Sequence, residues 1–253
     1  MSLSLDPAQL TAFLIAMARC FGFVFVAQPF SSPVIPRSVR TALAVALGLA
    51  GGARIVHTVS VPTSSTALVM AMLTQLVAGV LIGYLVNTFM SIGNAAGSSV
   101  GLFGGFSPPP SLDPLSLNQS PVTGTLYGML WLTMFFVSGA DTLVVGGMLS
   151  TFGPSTIFSH PEIGFVIVVK SVSVLMGAAL QIAAPILAVL FITQIIVGIL
   201  VKVAPQINPF TFSFPLQLLL TFGLMTLSLV LLPTFLQGAV HYILVGEQDI
   251  LRV

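Results

Sequence analysis

A lysine stands inside an apolar run, FVIVVKSVSVLM from Phe165 to Met176. A charge there must find water or a partner, and in membrane helices it serves an ion path, a buried pair or a contact with another chain. Asp141 lies in the preceding apolar segment, and the connection 151–163 is short enough to make the two segments antiparallel neighbours. An Asp141–Lys170 pair would lower the cost of both charges. Arg19 is a third charge in an apolar run; it is near enough to the end to snorkel, or else faces protein. Gln75, Gln181 and Gln194 can hydrogen-bond across helices for about 0.6–2 kcal/mol each. Polar packing or a solvated groove is the first expectation for all of these, and a proton relay is the sharper one.

Other chemistry is poorly supported. His57, His160 and His241 stand apart and open no metal motif. Cys20 is alone in an apolar run and suits a small buried hydrophobe. No Gly-rich phosphate loop ends in Lys-Ser/Thr, and no serine elbow occurs. We therefore expect no catalytic set, no metal and no cofactor.

The elements that would position these residues are apolar helices. The chain has 7 Lys and Arg and 6 Asp and Glu among 253 residues, a 56% hydrophobic share and a mean hydropathy of +1.11. A soluble surface needs about 25% charged residues, so an all-α membrane protein is expected. A net charge of +1 without basic clusters excludes a nucleic-acid footprint. The N-terminal MSLSLDPAQLTAFL has no basic stretch before its apolar run, so the first segment is expected to stay in the mature protein.

Six segments are expected, read as six or seven spans. The first runs from Pro7 to Val26, opened by Asp6-Pro7 and closed by Gln28-Pro29. The second runs from about Ser38 to Ala50 and ends at Gly51-Gly52. The third is apolar from Ala67 to Met90 and continues to about Gly101, with glycines at 93, 97 and 101 that allow close helix approach. The fourth covers Val122 to Leu149. The fifth, Gly164 to Val203, would measure about 60 Å as one helix, roughly twice a hydrocarbon core, so Pro185 is expected to kink or break it, giving a helical hairpin or two half-helices. The last spans Phe214 to Tyr242, with a kink at Pro233.

The sharpest local feature is GLFGGFSPPPSLDP, Gly101 to Pro114. Pro108, Pro109 and Pro110 forbid a helix, while Gly104 and Gly105 allow a tight bend. Phe103, Phe106 and Leu112 are apolar anchors, and Asp113-Pro114 closes the motif. Such backbone must be buried in protein or line an aqueous route. Residues 101–121 are thus expected to line or obstruct a channel, or else to form an ordinary loop between spans.

Four stretches resemble a known family. They are QPFSSPVIPRSVRTALAVAL (28–47), with Pro36, Arg37 and Arg40; QLVAGVLIGY (75–84), with Gly79 and Gly83; AGSSVGLFGGFSPPPSLDP (96–114); and GILVKVAPQINPFTFSFPLQLLL (198–220), with Pro205, Gln206, Phe214 and Pro215. In order and spacing they resemble the FliR family of flagellar type III export-gate proteins and its injectisome relatives, the flagellar branch more closely. Ser98 stands where many members carry glutamate, and Ala140-Asp141 where many carry aromatic residues or histidine.

The resemblance implies a single gate-type domain over residues 1–253, without enzymatic activity. It implies long kinked helices and helical hairpins packed into a helical hetero-oligomeric complex. The implied partners are the two other gate proteins, of the FliP and FliQ families, a FlhB-family switch protein and basal-body ring components. Unfolded flagellar subunits would pass through, driven by an ATPase and the proton motive force. The implied location is the bacterial inner membrane at the core of the flagellar basal body, with the Phe103–Leu112 segment plugging the closed pore. The runner-up is a small-solute secondary transporter, which should show an internal repeat. No second copy of the Gly198–Leu220 pattern occurs in the first half. A scaffold without a pore is the third reading.

Overall fold

The structure is a computed structural model, described over residues 7–56, 64–106, 121–152, 161–204, 206, 208–230 and 232–252. Among the described residues every regular element is a helix, in the order α1 (Pro7–Val26), α2 (Arg37–Ile55), α3 (Ser65–Phe103), α4 (Val122–Val137), α5 (Ala140–Ser150), α6 (Pro161–Val203), α7 (Pro209–Ser228) and α8 (Leu232–Arg252). By length and composition five helices can cross a membrane, or six if α4 and α5 count as one broken span. The chain is an all-α membrane protein. Counted with the broken span, the described helices give six, the lower of the six or seven expected.

Four boundaries differ from expectation. α2 does not stop at Gly51-Gly52 but runs to Ile55, because both glycines are packing surfaces: a Cβ would lie 2.6 Å from the Phe152 ring at Gly51 and 3.1 Å from the Phe13 Cα at Gly52. The fourth segment is two helices. Ser138 ends α4, and Gly139 takes φ +71°, a left-handed conformation that glycine adopts without a Cβ penalty. Conversely, α6 is one helix through Pro185, not a hairpin. Proline removes a single backbone donor, and the apolar residues on either side can retain the helix. The last segment is two helices, α7 ending at Ser228 and α8 beginning at Leu232, which puts Pro233 in the first turn of α8, where its missing N–H costs little.

The chain divides into two compact units. The first comprises Met1–Phe89, Gly139–Val172 and Ala239–Val253. In it α1 packs tightly on α2 and on the first half of α3. Gly22 and Gly79 meet the opposing backbone: a Cβ on Gly22 would lie 2.8 Å from the Val80 nitrogen, and one on Gly79 would overlap the Arg19 carbonyl oxygen. Ala16, Cys20, Phe23 and Val24 are fully buried there.

The second unit comprises Met90–Ser138 and Ser173–Gly238. The second half of α3 lies against α4, where a Cβ would come 2.6 Å from the Trp131 Cβ at Gly93 and 2.7 Å from the Tyr127 Cβ at Gly97. Tyr127, Trp131 and Phe135 are fully buried. The Tyr127 hydroxyl pairs with Ser228 Oγ, which donates in turn to the Met225 carbonyl at 2.8 Å.

Candidate functional site

Two places collect the residues singled out by the sequence. In the second unit the C-terminal end of α3 forms a built corner. Gly104 N–H donates to the Val100 carbonyl at 2.8 Å and Phe106 N–H to the Gly101 carbonyl at 3.0 Å, around Gly105 at φ +79°. This six-to-one bond with a left-handed glycine is a Schellman-type helix stop. It ends α3 at Phe103, two positions beyond the expected Gly101. The corner sits on α7. A Cβ on Gly104 would lie 2.9 Å from Thr221 Cγ2, and one on Gly105 would lie 3.7 Å from the Phe214 ring. Phe106 meets Phe222 edge to face, with ring centroids 5.0 Å apart.

Phe103 and Phe106, equivalent in the sequence, are therefore different. Phe106 is half-buried on α7, whereas Phe103 is 57% exposed. Gly101 is buried beside α4, where a Cβ would lie 2.8 Å from Pro121 Cβ. Ser98 donates to Asn94 Oδ1 at 3.2 Å. Pro108, Pro109, Pro110, Leu112, Asp113, Pro114 and Pro205 lie outside the described residues.

In the first unit the polar residues group differently from the sequence expectation. Arg19 is fully buried, and Gln75 is 5% exposed. Arg19 Nε donates to Gln75 Oε1 at 2.7 Å, and Nη2 donates to the same oxygen. Nη1 donates to the Thr151 carbonyl at 3.1 Å and to Thr151 Oγ1 at 3.0 Å. The guanidinium also lies 4.4 Å from the centroid of the Phe152 ring. Arg19 thus faces protein and does not snorkel. Asp141 is half-buried in the first turn of α5, and Lys170 is exposed on α6. The expected burial of Lys170 is corrected, and no ion pair joins it to Asp141 among the described residues. Gln194, also expected in a packed position, is exposed. α6 turns these two residues away from the chain's own core.

The remaining motif residues have local roles. Pro36 precedes α2, and Arg40 donates to the Ile35 carbonyl at 3.0 Å and the Ser32 carbonyl at 2.6 Å, fastening the Pro-rich loop to that helix. Arg37 is exposed. Gly83, like Gly79, is a contact with α1, where a Cβ would come 2.9 Å from the Phe23 carbonyl oxygen. Gln206 is exposed in a turn, and Phe214 and Pro215 are exposed on α7. Thr151 and Phe152 were missed by sequence reasoning, because nothing local marks a helix end as the partner of an arginine 132 residues away.

Arranged this way, the described residues close helix contacts and shape one helix end. The family model for bacterial export proteins, family 1, matches residues 10–243. The chain belongs to this family. Among its relatives, the protein named flagellar biosynthetic protein FliR of Escherichia coli (strain K12) is 24% identical over 221 residues, covering 87% of this chain and 84% of the relative. The protein of the same name from Bacillus subtilis (strain 168) is 27% identical over 216 residues, with 83% of each covered. The surface presentation of antigens protein SpaR of Shigella flexneri is 22% identical over 149 residues, covering 59% of this chain and 58% of the relative. This member of the family is thus similar to flagellar relatives over most of its length and to SpaR over a shorter part.

Proposed function

We propose that the chain is a structural and gating subunit of the flagellar type III protein export gate, without enzymatic activity. It assembles in the bacterial inner membrane, at the core of the flagellar basal body, with partners of the FliP and FliQ families. A FlhB-family switch protein and basal-body ring components complete the surroundings. Unfolded flagellar subunits pass through the complex. The observation that carries this reading is the family match across residues 10–243, joined to flagellar relatives covered over more than four fifths of their length.

Physical chemistry supports a partnered chain. α6 has 43 residues, which is about 65 Å of helix against a hydrocarbon core of about 30 Å. Large apolar side chains are exposed along it from Val166 through Met176, Leu180, Phe191 and Ile195 to Val203. Lipid tails can cover about half of that length, so protein must cover the rest.

The corner at Gly101 to Phe106 is the root of the segment we assign to lining or closing the channel. Phe106 is its fixed point, and Phe103 is its free apolar side chain. Removing the gene from its host should abolish secretion of flagellar subunits, and restoring the chain should recover it. Undiminished secretion without the chain would overturn the assignment.

A further inference from the structure

α5 is a short helix whose two ends meet charges of the correct sign. It has 11 residues, begins after the left-handed Gly139 and carries Asp141 in its first turn. At its other end two arginines from different helices reach its terminal carbonyls. Arg19 of α1 binds the carbonyl and hydroxyl of Thr151, the residue that caps the helix. Arg54 of α2 donates to the Leu149 carbonyl at 3.1 Å. The last carbonyls of a helix carry partial negative charge and lack intrahelical donors, so cations there satisfy both needs. An acid in the first turn matches the opposite end.

Arg19 is the unusual member. Its guanidinium is fully buried, and its acceptors are neutral: the amide oxygen of Gln75 and two oxygens of Thr151. The Phe152 ring covers it at 4.4 Å, and that ring in turn fills the space at Gly51 of α2. A buried cation without a carboxylate needs every available dipole. Were α5 to undock, Arg19 would keep Gln75 alone. The end of α5 therefore completes the solvation of a charge that α1 and α3 already enclose.

We propose that α5 is held by a cation-to-helix-end lock in which Arg19 is the positioning residue, with Arg54 and Asp141 as the outer electrostatic matches. The lock explains Asp141 without Lys170: the carboxylate belongs to the helix start, not to a buried pair. It is a property of α1, α2, α3 and α5 and does not depend on the gate assignment.

The test is amide hydrogen exchange on the full chain, purified from membranes with whatever partners remain bound. In Arg19→Met, exchange of the α5 amides (140–150) should rise about tenfold or more, while that of α7 (209–228) stays within twofold. Arg19→Lys keeps the charge but not the fork, so it should restore part of the protection. Thr151→Val, which removes one acceptor, should raise α5 exchange about threefold. Combining Gln75→Leu with Arg19→Met should raise it by less than the product of the single effects, since each change removes the same contact. Unchanged α5 protection in Arg19→Met, or an equal rise in α5 and α7, would overturn the lock. If Arg19→Met does not accumulate, Arg19→Lys and Thr151→Val decide: a rise confined to α5 supports the lock, and no rise overturns it.

Discussion

α1 and α6 are both apolar helices with glycines and internal polar residues, yet they meet opposite surroundings. On α1, Gly22 faces the backbone of α3, and Arg19 is enclosed by α3 and the end of α5. On α6, Gly177 and Gly198 have nothing within 4 Å, and Lys170, Gln181 and Gln194 are exposed. A glycine inside a helix lowers its stability by about 1 kcal/mol relative to alanine unless close packing uses it. On α1 and its neighbours that packing lies within the chain. On α6 no described part of the chain uses it. The first region is a finished interface, and the second is a face that the described part of the chain leaves uncovered.

The same substitution placed in both regions should separate them most sharply. Gly79→Ala puts a methyl group into the Arg19 carbonyl, where backbone cannot give way. We expect a loss of about 3 kcal/mol or more, read as failure to accumulate or as a collapse of thermal stability in detergent. If Gly79→Ala behaves like the parent chain, the finished-interface account of α1 and α3 is wrong. On the open side, Gly198→Leu should leave helicity by circular dichroism intact but reduce retention of partner proteins about tenfold, since a bulky side chain prevents close helix approach. Full retention would mean that lipid covers this face.

A smaller effect belongs to the α3 corner. Phe106→Ala removes an edge-to-face contact with Phe222, and we expect about 1–2 kcal/mol of lost stability, with raised conductance of reconstituted complexes. Phe103→Ala, at a 57% exposed position, should leave stability within about 0.5 kcal/mol. Equal stability losses from the two would erase the distinction between fixed and free phenylalanine. Smallest, and of opposite sign to Gly79→Ala, Gly177→Ala should stabilise the chain, made with its partners and then dissociated from them in detergent, by about 1 kcal/mol through helix propensity alone. A thermal melt in detergent checks it.

Much of this was legible in the sequence, and the failures are physical. Charge scarcity and apolar runs gave the all-helical membrane class, and Pro7–Val26 was bounded by its own proline signals. Gly51-Gly52 misled because local propensity treats glycine as a stop, whereas Phe13 and Phe152 make those positions useful in a helix. Pro185 misled in the opposite direction, because one lost backbone bond did not outweigh a long apolar helix. Asp141 and Lys170 lie in neighbouring segments, but sequence distance says nothing of which helix face each occupies. Arg19 and Gln75 were visible as polar residues in apolar runs. Their third partner was not, since a helix end offers backbone oxygens that no residue type encodes. The resemblance supplied the family directly, through motifs whose local roles, such as Arg40 holding the Pro-rich loop, became clear only from the hydrogen bonds.

Native mass measurement of the particle released from membranes in mild detergent tests the central claim most directly. The chain, expressed together with FliP- and FliQ-family proteins from its own host, should appear in one particle containing both of them. Expressed without them, it should aggregate or be degraded. A monodisperse, fully helical monomer or homo-oligomer that forms equally well in their absence would contradict the account.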